Sequence, residues 1–248
     1  MTYKKGIAFQ YMGETKYDRA SIFRRDELGA IPRPPVYKAY PEAVKVPLPK
    51  PLFKETSSLW SILNARRSGR RYTPEPIAKT TLSALLWATQ GVTHGAQGYQ
   101  FRTAPSAGAL YPVETYLSVQ HVEDVKEGLY HFNVLDFVLE EMAPGHFGDT
   151  LSRAALDQAM VARAAVVFVW TGIILRSMWK YRNRCLRYIF MDAGHIGQNL
   201  QLAATALGLG CCPVGAFYDA EINRLLKVDG EEETTIYLAS VGNPASRS

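Results

Sequence analysis

The sequence predicts an α+β fold, and three observations predict it. Alternating apolar patterns at residues 113–120, 128–132 and 137–139 are spaced as an antiparallel hairpin. A continuous apolar run at 165–171 has strand length and suits a sheet centre covered on both faces. Residues 179–207 hold the longest helical pattern, with Ile189, Ala193, Ile196, Leu200, Ala203, Ala204 and Leu207 on one broad apolar face and Gly208 as its stop.

With 248 residues, 47% apolar and 21% charged, the chain can bury one large or two small cores, which excludes disorder of the whole. The longest apolar run, 164–175, is too short to span a bilayer, and no apolar segment follows Lys4 and Lys5. The expectation is a cytoplasmic protein that does not enter a membrane. Cys185, Cys211 and Cys212 show no CxxC spacing, and the five histidines form no HxxxH or HExxH pattern, so no disulfide framework and no metal site is read.

Two regions are expected: a basic, proline-rich arm at 1–56 and a folded domain at 57–248. The arm carries 11 basic and six acidic residues and seven of the 14 prolines, while the remainder is balanced at 17 and 17. Without a sustained period, the arm is expected to run extended against the body or a partner subunit. It lacks the clustered arginines and interleaved aromatics of a nucleic-acid segment, so no nucleic-acid partner is expected.

In chain order, Leu59, Ile62 and Leu63 give a short helix capped by Ser57 or Ser58. It leads into Arg66, Arg67, Ser68, Gly69, Arg70, Arg71 and Tyr72. Four guanidiniums around a hydroxyl and a glycine suit planar, bidentate contact with an anion, the alternative being an exposed basic turn. Leu82, Leu85, Leu86 and Thr89 then mark a helical core face behind a threonine N-cap at Thr80, ended by Gly91.

A glycine-studded loop leads to the small residues between Pro105 and Pro112, which either admit a flat group or form a tight turn before a strand. A polar helix is expected at 151–160. The segment 208–213 starts like GxGxxG but ends in Pro213 and follows a helix, so no Rossmann fingerprint is present, and there is no GxxxxGK[ST]. Gly194 and Gly197 each cost about 1 kcal/mol inside a helix relative to Ala, which points to close approach of another backbone or to a single-chain core helix. Arg176, Lys180, Arg182, Arg184 and Arg187 stand with no acid between them. Such crowding favours the neutral amine of Lys180 where it is shielded from water, and a neutral amine can act as a base; a solvated run has no such consequence.

Four motifs in register carry a resemblance. They are the 66–72 segment; Pro105, Ser106, Ala107, Gly108, Ala109, Leu110, Tyr111 and Pro112; the stretch from Asp192 through Gly210; and Pro213, Val214, Gly215, Ala216 and Phe217. Together they resemble the FMN-dependent nitroreductase family, and within it the SagB-type dehydrogenase branch, over residues 57–244.

The resemblance implies a mixed, mostly antiparallel sheet wrapped by helices, with a long buried helix at a homodimer interface and FMN in clefts between subunits. It places Arg66 at the phosphate or ribityl, Ser68 at the ribityl, Arg70 at the pyrimidine edge, and Arg67 in the same cradle. Pro105 and Ser106, with Ala107 and Gly108, would border the ring from the other subunit. The backbone of Gly215 would face flavin N5, flanked by Pro213, Val214 and Ala216, and Arg247 is the basic residue left near the phosphate. NAD(P)H or a small molecule would be the donor. Lys180 and Tyr181 match a catalytic pair of azoline-oxidising members, which implies a second reading, a peptide thiazoline/oxazoline dehydrogenase. A flavin-binding protein without turnover is the third.

Overall fold

The computed structural model describes residues 5–17, 19, 28–51, 58–96 and 99–245. Strand β7 (Val166–Ile173) lies at the centre, and the apolar run that predicted it is covered on both sides. Val166, Phe168 and Trp170 face one core and Val167 and Val169 the other, as the two-residue repeat of a strand requires. β4 (Val113–Val119) and β9 (Glu233–Gly242) flank it. β5 (Gly128–Asn133), β6 (Val138–Pro144) and β1 (Lys45–Pro47) extend one side and β8 (Gly210–Val214) closes the other, giving the order β1-β6-β5-β4-β7-β9-β8. Each of these pairings is antiparallel. Parallel contacts among the described residues are the isolated bridges Ser68 to Cys211 and Ile77 to Val122.

Helices α3 (Lys79–Gln90) and α7 (Cys185–Ala206) cover the Phe168 and Trp170 face. The other face is covered by α4 (Gly148–Ala154), α5 (Ala159–Ala162) and α8 (Asp219–Leu226). Leu82, Leu85 and Leu86 are fully buried beneath α3, and truncating any of them to Ala is expected to cost about 2–5 kcal/mol. Ser58 caps α2 (Leu59–Ala65), its side chain accepting from Ser61 N at 3.2 Å; Ser57 lies outside the described residues. The cap of α3 is Ala78 rather than Thr80, which sits exposed in the first turn.

Four expectations change. The helix expected at 151–160 is two short helices, because Leu156 and Asp157 take left-handed φ angles of 57° and 58° and Gln158 Nε2 caps Ala155 O at 2.7 Å. The pattern at 179–207 is α6 (Ile174–Tyr181), a 3₁₀ turn (Arg182–Arg184) and α7, broken where Arg182 takes φ 52°. The glycine-studded loop is a hairpin of β2 (Val92–Ala96) and β3 (Tyr99–Arg102). Part of the arm is helical, as α1 (Ile7–Glu14), and β1 joins the main sheet against β6.

The arm is held by the body's polar groups. Lys38 Nζ lies 2.5 Å from Glu233 and 2.8 Å from Tyr116 Oη, and Tyr40 N donates to Glu140 at 3.0 Å. Arg176, Arg182, Arg184 and Arg187 donate to the carbonyls of Pro35, Gly29, Thr15 and Met12 at 2.6, 2.7, 2.5 and 2.8 Å. The basic run without acids is thus a strip that receives the arm's backbone. Arg176 also reaches a carboxylate, Glu114, at 2.5 Å from a different strand.

Candidate functional site

α2 ends at Arg66, whose extended ψ of 126° turns the 66–72 segment along the outer edge of β8. Gly69 N donates to Cys211 O at 3.0 Å. A Cβ on Gly69 would stand 3.3 Å from Gly210 Cα, so this glycine serves close backbone approach. Buried Tyr72 anchors the end of the segment, with Oη 2.8 Å from Gly69 O and 2.9 Å from Ser240 O.

From this fixed backbone the guanidiniums spread. Arg66 Nη1 donates to Gln201 Oε1 at 3.0 Å, Arg67 Nη1 to Asn64 O and Arg66 O at 2.8 Å each, and Arg70 Nη1 to Ser68 O at 3.4 Å. Burial pushes the neighbouring thiols up, Cys211 to about 12, with Arg70 opposing the rise at Cys212. They are packed sulfurs rather than nucleophiles.

A cleft of about 510 Å³ opens here, lined by Arg67, Ser68, Arg70, Arg71, Thr205 and Gly208 among others. No carboxylate is among its lining residues. Guanidiniums in a wall that holds no carboxylate, around a volume typical of small-molecule sites, suit an anionic cofactor. Pro213 and Val214 end β8, and Gly215 and Ala216 follow it, exposed. The space a Gly215 side chain would take is empty to 4 Å, and Ala216 O accepts from Gln158 Nε2 at 3.1 Å. Arg247 lies outside the described residues.

The second group of predicted residues meets elsewhere. Pro105, Ser106, Ala107 and Gly108 form a turn against the first half of α7, where Asp192 accepts from Ser106 Oγ at 2.5 Å and from Ala107 N at 3.3 Å. Ser106 Oγ in turn accepts from Tyr111 N at 2.9 Å. Gly108 has φ 64°, and a Cβ there would stand 2.6 Å from Lys180 Nζ and 2.7 Å from Tyr181 Oη, so both side chains converge on the turn. Lys180 is exposed, so the shielding from water that the sequence reading required is not provided by the chain alone. Tyr181 packs on Tyr188 with ring centroids 4.3 Å apart; burial, then Tyr188 and Asp192, raises its phenol pKa.

The two groups meet α7 at different stations. Asp192 and Gln201 are nine residues apart, about 14 Å along the axis and half a turn around it. By that helical geometry, Arg66 and the 105–108 turn contact opposite sides of α7. Between them Phe190, Met191 and Gly194 are exposed, and beyond its own helix backbone and chain neighbours nothing lies within 4 Å of where a Gly194 Cβ would stand. Gly197 has a different reason for being small, since its Cβ would meet the Tyr237 ring at 2.7 Å inside the chain.

Sequence reasoning assigned no role to Asp192, Gln201 or Tyr188. The signal for Asp192 was a carboxylate set among Ile189, Ala193 and Ile196 on a helix face otherwise meant for burial. Among the described residues no cluster of ligands could hold a metal ion, and no helix is long and apolar enough to cross a membrane.

The comparisons bear on the family and the fold. Residues 63–243 match the model of the nitroreductase family. A candidate nitroreductase of Methanocaldococcus jannaschii is 39% identical over 188 residues, 76% of this chain and 92% of that protein. The microcin B17-processing protein McbC of Escherichia coli is 28% identical over 133 residues, 52% of this chain and 49% of McbC. A crystal structure of a candidate nitroreductase from Anabaena variabilis superposes with a TM-score of 0.76 at 26% identity, covering 96% of this chain; the chain spans 47% of that neighbour.

Proposed function

The chain belongs to the nitroreductase family, and from that premise we propose that it is an FMN-dependent oxidoreductase taking electrons from NAD(P)H or another small donor and working as a homodimer. The observation that carries the reading is the arginine-lined cleft, which has no carboxylate in its wall and about 510 Å³ of volume. Bound there, FMN would supply hydride transfer at its N5.

The chain's own part is holding and orienting. Arg66, Arg67 and Ser68 would take the phosphate and ribityl oxygens, and Arg70 the electron-rich pyrimidine edge, where a guanidinium stabilises negative charge. Gly215, exposed and with open space where a side chain would stand, would present its backbone N–H to N5, and Pro213, Val214 and Ala216 would set its path. Arg247 is a further candidate for the phosphate. The opposed stations of the two groups on α7 support a two-fold dimer, in which the 105–108 turn of one subunit meets the cradle of its partner across Phe190, Met191 and Gly194.

The test is anaerobic titration of the FMN-loaded protein with NADH and NADPH, followed by flavin absorbance. Bleaching with either is expected. No bleaching with either would remove the nicotinamide donor, and failure to take up FMN would remove the cofactor.

A second reading, peptide thiazoline or oxazoline dehydrogenation, is favoured by the convergence of Lys180 Nζ and Tyr181 Oη over Gly108 and by the similarity to McbC. In it Lys180 would take the ring proton and Tyr181 would orient the amine, while bound FMN would supply the hydride acceptor. Lys180→Ala should then abolish azole formation on an azoline peptide while FMN stays bound; retained activity would end the assignment of the base.

A further inference from the structure

Asp192 is 4% exposed, and burial pushes its carboxyl upward against the hydrogen bonds from Ser106 and Ala107 and the nearby His195. A carboxylate in such a place is costly unless its oxygens are used. Both are used, and on the same turn. Oδ2 accepts from Ser106 Oγ at 2.5 Å and Oδ1 from Ala107 N at 3.3 Å.

The turn has reason to require a clamp. Gly108, Ala109 and Tyr111 have φ angles of 64°, 52° and 47°. For the two non-glycine residues the left-handed region costs about 1–2 kcal/mol each, and such conformations persist where the surroundings over-determine them. The same turn is the floor on which Lys180 and Tyr181 meet.

A serine hydroxyl has one proton to donate and two lone pairs. In Ser106 the proton goes to Asp192 and one lone pair to Tyr111 N at 2.9 Å. One lone pair remains. The Ala107 amide also points to Asp192, so neither the Ser106 hydroxyl nor the Ala107 N–H keeps its proton for a ligand.

We propose that Asp192 is a positioning residue, clamping the 105–108 turn so that Ser106 meets the flavin as a hydrogen-bond acceptor and Gly108 holds its place beneath Lys180 and Tyr181. This rests on the FMN reading above. An Asp192→Ala chain loses the clamp. An Asp192→Asn chain keeps an oxygen for Ala107 but turns an NH₂ group toward Ser106, which reverses that hydrogen bond and releases the serine proton outward.

The test has two arms on the full chain. In the flavin-free protein, amide hydrogen exchange at Ala107 and Tyr111 is expected to quicken at least tenfold in Asp192→Ala, with residues 200–204 of α7 unchanged, and to stay within about threefold of the native rate in Asp192→Asn. In FMN titrations of the dimer, both variants are expected to bind at least tenfold more weakly than the native chain. Unchanged exchange at both amides in Asp192→Ala overturns the clamp. Native FMN affinity in Asp192→Asn overturns the acceptor role. Should Asp192→Ala not fold, Ser106→Ala replaces it, with quickened exchange at Tyr111 expected and native exchange there overturning the clamp. A native chain that takes up no FMN sinks the functional reading and the positioning role with it, an outcome visible without any variant.

Discussion

Gly108 packs directly beneath Lys180: a Cβ on residue 108 would stand 2.6 Å from Nζ, in a backbone already at φ 64°. Both facts oppose any larger residue. Gly108→Ala is expected to lose about 1–2 kcal/mol of stability from the left-handed backbone and to displace the amine. Urea unfolding and turnover on the FMN-loaded protein check this. Native turnover in a destabilised variant would separate the Lys180 corner from the reaction.

Arg70 lines the cleft and donates to Ser68 O at 3.4 Å. If its guanidinium faces the pyrimidine edge of FMN, Arg70→Ala removes a charge-assisted contact of about 1–3 kcal/mol from the reduced state. The two-electron midpoint potential is then expected to fall by about 20–60 mV. An unchanged potential would place Arg70 away from the ring.

His131 titrates inside the sheet, 3.0 Å from Glu114 and 2.8 Å from Glu140. Burial works against all three charges, but Arg176 and His131 hold Glu114 near 2, His131 and Asn133 lower Glu140, and the two carboxylates raise His131. A raised histidine contributes stability that is fully present below about 6.5 and is lost as pH rises through the folded value. Depressed carboxylates contribute above about 4.5 and lose that contribution as pH falls toward 2. The cluster therefore stabilises most between those limits. His131→Gln is expected to cost about 3–5 kcal/mol at pH 5.5 and clearly less at pH 8.5, read from urea unfolding at both. Equal losses at the two values would contradict the charged state of His131.

The described part of the arm is tied to the body at separate points. Arg187 reaches Met12 O at 2.8 Å and Thr15 Oγ1 at 2.8 Å, and Arg184 stacks 4.4 Å from the Tyr17 ring. Arg187→Ala is expected to speed proteolysis and hydrogen exchange of residues 7–17 several-fold while leaving β1 protected, since Lys38 and Tyr40 still tie the chain to Glu233 and Glu140. Unaltered protection at 7–17 would show that other contacts hold α1.

The parts of the fold legible in the sequence were those with an unambiguous period. The run at 165–171 had the length and apolar continuity of a strand covered on both faces, and Leu82, Leu85 and Leu86 the spacing of a helix face. What periodicity missed was set by single residues in unusual conformations or by distant partners. Arg182 breaks the long helix through a left-handed φ that no propensity announces. The basic run looked solvated or catalytic because its partners, the carbonyls of Met12, Thr15, Gly29 and Pro35, carry no side-chain signal. The candidate site residues were picked out as motifs, but the separation of Arg66 and the 105–108 turn to two stations on α7 was not visible, since it depends on which turn of the helix each loop reaches. Asp192 escaped because its role is to hold another residue's hydroxyl.

The most direct measurement of the central claim is a titration of the purified chain with FMN, followed by visible absorbance with the mass of the species in solution. The account predicts saturation at one FMN per chain in a dimer. A monomer, or a protein whose added FMN stays spectrally free, would contradict it.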